Sequence, residues 1–506
     1  MLSFLRNSFK PVSLKTASLI LALASVLSYL AGLLRDILIT YYFGATELSD
    51  IFYSSFMIPD LIFSVTTAGA LSGVFLPMFR SLYIDNKEEA ASFAGAFFSW
   101  ALILVVSVCG VSFLFMPDFV DIAFSKADVS SRLEIVKYSR IMLLSPILFT
   151  VSNFLGSTLM TFKHYLSFSL SAFFYNLGII FMTVVFHESM GVLASVLGVV
   201  LGLVLHASVR GFDILFTNFK IKFVLFHKSL KKLAGLSVLK TASMMSLVLS
   251  MLVFSSQAYG MAEGAVTSFN LARNLQSFVV SLFGISLATA AFPFIVDQNK
   301  KAKFNDLKQT LDRVGMKILV WSLPSMVGMY LVSNEMISLF FQRGEFTLDD
   351  TLMTAAVLSV FLISIPFEGL NHLLARVYYA NLNMVFPALA SLLFLGINLA
   401  GAFYVAETGV VSNLALVFVS ASFVQFLFLL FFLEKKFHFI NSGFLYNLMK
   451  VVISVIIMFL AVSYVGKYFD NLFISLLFKV VTGVFVYPMM LLFFNVFHYT
   501  GINIRK

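Results

Sequence analysis

Charge is scarce in this sequence. Only 12% of the 506 residues are Asp, Glu, Lys or Arg, about half the share found in a soluble domain. Sixty per cent are hydrophobic, more apolar surface than an aqueous fold could enclose, so the solvent for this chain is lipid. Cysteine is nearly missing. Cys109 is the single copy, which excludes an intramolecular disulfide and a cysteine-based zinc site; it lies in an apolar run and reads as a small buried thiol. Phosphate-cradling motifs are absent too. No Walker loop and no dinucleotide fingerprint occurs, so no built-in nucleotide site is expected. The seven histidines form no spaced metal constellation, and His187, His206 and His227 read as isolated or near loops. No Ser/His/Asp set can be assembled from spacing, so no catalytic residue and no metal ligand is assigned.

What is present is long hydrophobic sequence, including 60 phenylalanines. Fourteen runs are long enough to cross about 30 Å of hydrocarbon. They lie near 16–40, 49–79, 91–116, 136–160, 167–186, 190–209, 235–257, 264–296, 314–332, 351–377, 385–405, 409–432, 446–466 and 474–498. They are continuous rather than alternating, which excludes barrel strands and predicts an all-α polytopic membrane protein. Arg6, Lys10 and Lys15 ahead of the first run have the look of a signal peptide. No small-residue cleavage site follows, however, and the run is long, so it is read as the first span.

The net charge of +9 is a topology signal, and no nucleic-acid partner is expected. Of the 34 Lys and Arg residues, 24 fall in one alternating set of connecting segments, 6 in the other and 4 within or at the edge of spans. The rich set includes Arg210, Lys220, Lys222, Lys228, Lys231 and Lys232, the cluster from Lys300 to Lys317, and both ends of the chain. The positive-inside rule then places both termini in the cytoplasm. The two large clusters would rest against anionic headgroups, so membrane lipids are expected partners.

An internal repeat is expected. "LSGVFLPMF" (71–79) and "LATAAFPFI" (287–295) each place Leu six residues before Pro, at an offset of 216 residues. Each closes the second span of a six-span block. This gives an N-lobe at 1–209, a cytoplasmic basic linker at 210–234 and a C-lobe at 235–436. Two further spans and a tail occupy 437–506. Blocks with an even number of spans are parallel repeats, and two such bundles support alternating access around a central polar cavity.

Ionisable residues inside spans are costly and mark function by default. Arg35 and Asp36, in "GLLRDIL", are neighbours that point about 100° apart on a helix, so they are expected not to pair well and each needs another partner. Asp50 opens the second span, where it is either a helix cap or a cavity charge. Asp60 follows Pro59, where a kink would free backbone groups. In the second block Arg273 lies with Asn270, Asn274 and Gln276. The 216-residue offset carries Arg273 back to Met57, one turn from Asp60. The candidate substrate-binding residues are therefore Arg35, Asp36, Asp50, Asp60, Arg273, Asn274 and Gln276. Arg343 and Glu345 read as flanks of an outer turn on Gly344, and Lys240 as a snorkelling anchor.

The stretch "GLLRDILITYYFGATELSDIFYSSFMIPDLIFSVTTAGALSGVFLPMF" resembles the opening of the MurJ/MviN lipid II flippases, a family within the multidrug/oligosaccharidyl-lipid/polysaccharide exporter superfamily. Their pattern runs roughly G-x-x-R-D, F-G, D-A-F, R-I-P-N-x-x-R, G-A-x-S-x-x-F-V-P. "LFFQRGEFTLDDT" and "LLARVYYANLNMVFPAL" resemble two later motifs of the same family. The resemblance implies a transporter that carries lipid II from the inner to the outer leaflet of the bacterial inner membrane. It implies cavity arginines that meet the diphosphate, and two last helices that form a groove for the lipid tail. Arg35, Asp36 and Asp50 match the pattern. Family arginines are replaced by Tyr29, Met57 and Phe63, and the family Asn by Asp60. The second-lobe arginine is Arg273 or, with a one-residue shift, Asn274. The seventh span lacks the acid used by sodium-binding members, although Asn398 matches a polar position. Fewer cavity cations remain than the family norm. No cofactor is expected; coupling would be to the membrane potential or to a cation whose identity stays open.

Three other readings compete. One is a flippase for another polyprenyl-diphosphate sugar, or a cation-coupled drug antiporter with Asp36 as its proton site. Another is a polytopic glycosyltransferase, which would need a sizeable outer loop that this chain lacks. The last is a scaffold that no longer transports.

Overall fold

The computed structural model of the chain describes residues 14–68, 74–162, 164–217, 219–220, 222, 224–301, 304–381, 383–437, 442–469 and 471–501. Arg6, Lys10, Lys163, Lys303, Arg505, Lys506 and the start of the 71–79 motif lie outside these residues. Among the described residues every regular element is helical. Fourteen helical segments are long and apolar enough to cross a membrane, as the hydropathy predicts.

Two compact units divide the chain, Met1–Val266 and Thr267–Lys506. The first holds α1 (Leu14–Phe43), α2 (Glu47–Phe63), α3 (Leu76–Asp85), α4 (Lys87–Leu114), α5 (Met116–Ala123), α6 (Val129–Met142), α7 (Leu144–Thr161), α8 (Tyr165–Met190), α9 (Val192–Ile214) and α10 (Ser229–Tyr259). The second is built from α11 (Ala265–Val279), which begins at the boundary, α12 (Ser286–Lys300), α13 (Phe304–Leu331), α14 (Ser333–Phe341), α15 (Leu348–Phe361), α16 (Ile365–Ala380), α17 (Val385–Ala406), α18 (Val411–Phe437), α19 (Ser442–Val465) and α20 (Leu472–Phe493). By packing, α10 belongs with the first unit. The ninth crossing segment begins at Asn305 rather than near 314. Its polar first turns continue the helix beyond the apolar stretch.

Both second spans widen into a π turn. One covers Ser64–Ala68 after α2, the other Val280–Ile285 between α11 and α12. Their starts are separated by the same 216 residues as the two Leu/Pro motifs. A π turn is rare and is seen mostly at functional sites, so its recurrence at this offset supports the repeat independently of the sequence. In the first unit it follows Pro59 and Asp60, where Ser64 N–H is shared between the carbonyls of Asp60 and Leu61.

Glycines bring α8 and α9 together. A Cβ on Gly202 would overlap the Tyr175 carbonyl, and one on Gly198 would lie 2.8 Å from the Ile179 Cα. Small residues at this spacing let membrane helices approach closely, and here they set the position of Tyr175 and Asn176. Gly202→Val should therefore lower the unfolding temperature of the solubilised protein, since overpacking of this kind costs about 1–3 kcal/mol. Gly110→Val, where an added Cβ meets nothing within 4 Å, should leave it unchanged. Equal behaviour of the two variants would refute this packing account.

The basic segment after α9 is anchored to α4. Trp100 Nε1 donates to the Leu225 carbonyl at 2.8 Å, and Lys228 Nζ pairs with Glu89 at 2.9 Å. His227 beside them is held below its usual pKa, chiefly by loss of solvation. Arg210, expected in this segment, instead lies inside α9 and is buried. Outside the spans, Asp128 caps α6 by accepting from Ser130 N–H at 3.0 Å and Ser131 N–H at 3.3 Å. Hydrogen bonds from these serines hold its carboxyl well below the usual range. The turn expected at Gly344 is present, with φ +60°.

Candidate functional site

In the first unit the polar centre forms where α1, α2 and α8 meet. Arg35 donates through Nε and Nη2 to one oxygen of Asp36, at 3.0 and 2.8 Å. This corrects the expectation that the two neighbours would not pair. The guanidinium is long enough to fold back over the adjacent Cβ, and in a low-dielectric setting the nearest carboxylate wins. The expected additional partner also exists. Arg35 Nη1 donates to Asn176 Oδ1 at 3.1 Å, and Asn176 Nδ2 donates in turn to the Ala172 carbonyl at 3.0 Å. Tyr53 hydroxyl reaches Asp36 at 3.4 Å. Asp36 is buried, while the Arg35 side chain keeps 20% exposure.

Asp50 is buried one turn before Tyr53 on α2. Thr46 occupies the cap position of that helix, so Asp50 is not its cap. Asp60 stands apart. Its carboxylate is exposed and makes no hydrogen bond among the described residues, yet Tyr175 lies within electrostatic reach of Arg35, Asp36 and Asp60 together.

In the second unit the centre sits between α11, which carries Arg273 and Gln276, and the start of α16, which carries Glu368, with Ser364 of the short 3₁₀ turn Leu362–Ser364 beside it. Arg273 forks onto Glu368, Nη1 to Oε1 at 3.1 Å and Nη2 to Oε2 at 3.0 Å. Gln276 bridges the pair. It accepts from Arg273 Nη1 and donates to Glu368 Oε1 at 2.6 Å and to Ser364 Oγ at 2.7 Å. The Arg273 guanidinium lies 4.5 Å from the ring centre of Phe418, a cation–π contact. Both charged side chains are 14% exposed. Gly284, in the π turn, lies so near Gly369 that a Cβ on it would sit 2.6 Å from the Gly369 Cα. That close approach carries Glu368, the neighbour of Gly369, to the ion pair.

The sequence reading named Arg273 and Gln276, which the structure joins. It named Asn274, which is exposed one position on and does not share the Glu368 fork. It missed Glu368. The available signal was a lone carboxylate inside the apolar run 351–377, opposite an unexplained arginine in another span. It also missed Asn176 and Tyr53, which look unremarkable until α8 and α2 are packed.

A third polar cluster joins α7, α8 and α9. Arg210 donates to the Ser152 carbonyl and Asn153 Oδ1, both at 2.9 Å, and to Ser171 Oγ at 3.0 Å. Its guanidinium occupies the space that a Cβ on Gly156 would fill. His206 is buried against Ser152 Oγ at 2.7 Å, so it is neither isolated nor in a loop. Nearby, buried Asp213 accepts from Ser167 Oγ and lies 2.9 Å from His164 Nδ1. Arg210 has its donors filled by neutral acceptors of two other helices, which makes it a fastening rather than an open site. Among the described residues no group of three His, Cys, Asp or Glu side chains is placed to hold a metal ion.

The comparisons with known proteins agree with one another. A family model described as lipid II flippase MurJ matches residues 39–483. A curated relative from Aquifex aeolicus, named probable lipid II flippase MurJ, is 27% identical over 75% of this chain and 75% of its own length. Another of the same name from Thermotoga maritima is 25% identical over 93% of this chain and 94% of its own. A solved structure titled lipid II flippase MurJ, inward closed conformation, aligns with a TM-score of 0.82, covering 94% of this chain and 99% of that one at 22% identity. An inward-facing multidrug resistance transporter of the MATE family aligns at 0.67, covering 81% and 95% at 13% identity. The structural likenesses show a shared fold.

Proposed function

Because the chain belongs to the lipid II flippase MurJ family, we propose that it carries lipid II from the inner to the outer leaflet of a bacterial inner membrane by alternating access. It does so without covalent chemistry, as two six-span sequence repeats, 1–209 and 235–436, the first span of the second repeat packing with the first unit, and with both termini in the cytoplasm. The membrane potential or a cation drives it. The orientation is supported by the distribution of Lys and Arg among the connecting segments, and the lobes by the π turns repeated at the 216-residue offset.

The observation that carries the substrate is that in each unit a part-buried arginine inside the spans is paired with a carboxylate, Arg35 with Asp36 and Arg273 with Glu368. A diphosphate cannot cross hydrocarbon unaided, and arginine matches its oxygens with a planar fork. An unpaired arginine awaiting substrate would bear a large desolvation cost at this depth. A carboxylate that holds the arginine until the diphosphate displaces it removes most of that cost. Asp50, Asp60, Gln276 and Asn274 complete the polar surroundings.

The test is rescue of growth in a strain depleted of its own lipid II flippase. Wild-type protein should restore growth and outer-leaflet lipid II. Full expression in the membrane without rescue would sink the assignment and favour another polyprenyl-diphosphate sugar. For orientation, a cysteine placed at Leu225 should react only with reagent on the cytoplasmic side.

A further inference from the structure

Arg376 is a cation that neither centre absorbs. It lies on α16, four residues before that helix ends at Ala380. Arg273 is forked onto a carboxylate, and Arg313 and Arg343 are exposed. Arg376 is half-buried and has no carboxylate partner among the described residues. Its Nη2 donates to Thr289 Oγ1 at 2.6 Å, and its guanidinium carbon lies 5.7 Å from the Phe292 ring centre, both on α12. Its Nε is enclosed with no acceptor. A guanidinium with one neutral partner and an enclosed, unpartnered N–H has unused donor capacity within a span, where such capacity is costly.

Asn299 Nδ2, near the end of α12, donates to the Ala380 carbonyl at 3.2 Å, so α12 and α16, each the end of an apolar crossing segment, close side by side at one face of the second unit. Arg376 is about 6 Å inside that face at the helical rise per residue. The segment leaving the same face carries exposed Lys301, and Arg313 follows on α13. An anionic headgroup attracted to this face meets Arg376 one turn inside it.

We propose that Arg376, steadied by Thr289 and Phe292, is a phosphate-binding position of the second unit, and that it takes the diphosphate of the lipid-linked substrate as the headgroup enters or leaves at this face. The inference rests on the proposed function. Ordinary anionic phospholipids share the phosphate chemistry, but their single negative charge is a weaker match for an arginine beside a basic segment than a diphosphate is.

The full chain, purified in detergent, would be titrated with lipid II and, separately, with phosphatidylglycerol. Arg376→Gln should weaken lipid II binding roughly 10-fold or more, the equivalent of one lost charge-assisted contact, with phosphatidylglycerol binding nearly unchanged. Arg376→Lys should recover part of the loss, because a point charge cannot fork onto two oxygens. Thr289→Val should give a smaller loss. If the Gln variant fails to fold, the Lys variant carries the test, and wild-type lipid II affinity in it overturns the proposal. Equal weakening for both lipids also overturns it, since Arg376 is then an interfacial anchor. A wild-type protein that prefers lipid II, with Arg376→Gln retaining that preference in full, overturns this site alone. A wild-type protein with no preference for lipid II overturns the proposed function and this site with it.

Discussion

Glu368→Ala is expected to destabilise the second unit severely. It strips Arg273 of both forked contacts and Gln276 and Ser364 of a shared acceptor. Removing one partner of a buried ion pair costs about 3–5 kcal/mol, because the other charge is left uncompensated. That is a large part of the roughly 5–15 kcal/mol that holds a typical domain together. Arg273→Ala should be comparably harmful for the same reason. Arg273→Met/Glu368→Leu removes both charges and keeps volume near the Phe361 and Phe418 rings, so it should be more stable than either single variant. Thermal unfolding of wild type, Arg273→Met, Glu368→Leu and the double variant in one detergent gives the double-mutant cycle. Additive losses would show that the two residues do not act as a pair. The double variant should nevertheless fail in transport, which separates stability from function.

Arg35→Ala should abolish most transport with a smaller effect on folding, because its side chain is more exposed than the Arg273 fork and its carboxylate is its own neighbour. If it grips the diphosphate, loss of its charge-assisted bonds at about 1.5–3 kcal/mol corresponds to roughly a 10- to 150-fold drop in occupancy. Arg35→Lys should recover only part, since one ammonium cannot reproduce the geometry that reaches Asp36 and Asn176 together. Asn176→Ala should cost less, about 1 kcal/mol for one hydrogen bond. Outer-leaflet lipid II at matched protein levels is the readout. Wild-type flipping by Arg35→Ala would remove this arginine from the substrate path.

The fold was legible in the sequence because hydrocarbon thickness and chain hydropathy are simple constraints. Continuous apolar runs of about 20 residues have few alternatives in a bilayer. Their ends were less legible, as at Asn305, where polar helical turns precede the apolar stretch without any change in secondary structure. The candidate residues were legible as types, since an ionisable group in an apolar run is conspicuous. Their partners were not. Arg35 and Asp36 were separated on helical-wheel geometry, which describes Cβ directions and ignores the reach of a guanidinium. Glu368 was visible in "IPFEGL" but unclaimed, because its link to Arg273 depends on the approach of Gly284 to Gly369. Arg210 was grouped with solvated lysines by its position after a hydropathy drop, although α9 continues to Ile214 and buries it.

The account is tested most directly by reconstituting the purified chain in sealed proteoliposomes containing labelled lipid II and following its appearance in the opposite leaflet. Wild-type protein should move lipid II faster than it moves phosphatidylglycerol, and Arg35→Ala/Arg273→Met/Glu368→Leu, folded and at equal density, should move it no faster than empty vesicles. Undiminished lipid II movement by that triple variant would contradict the account, since the substrate would then cross without either paired arginine.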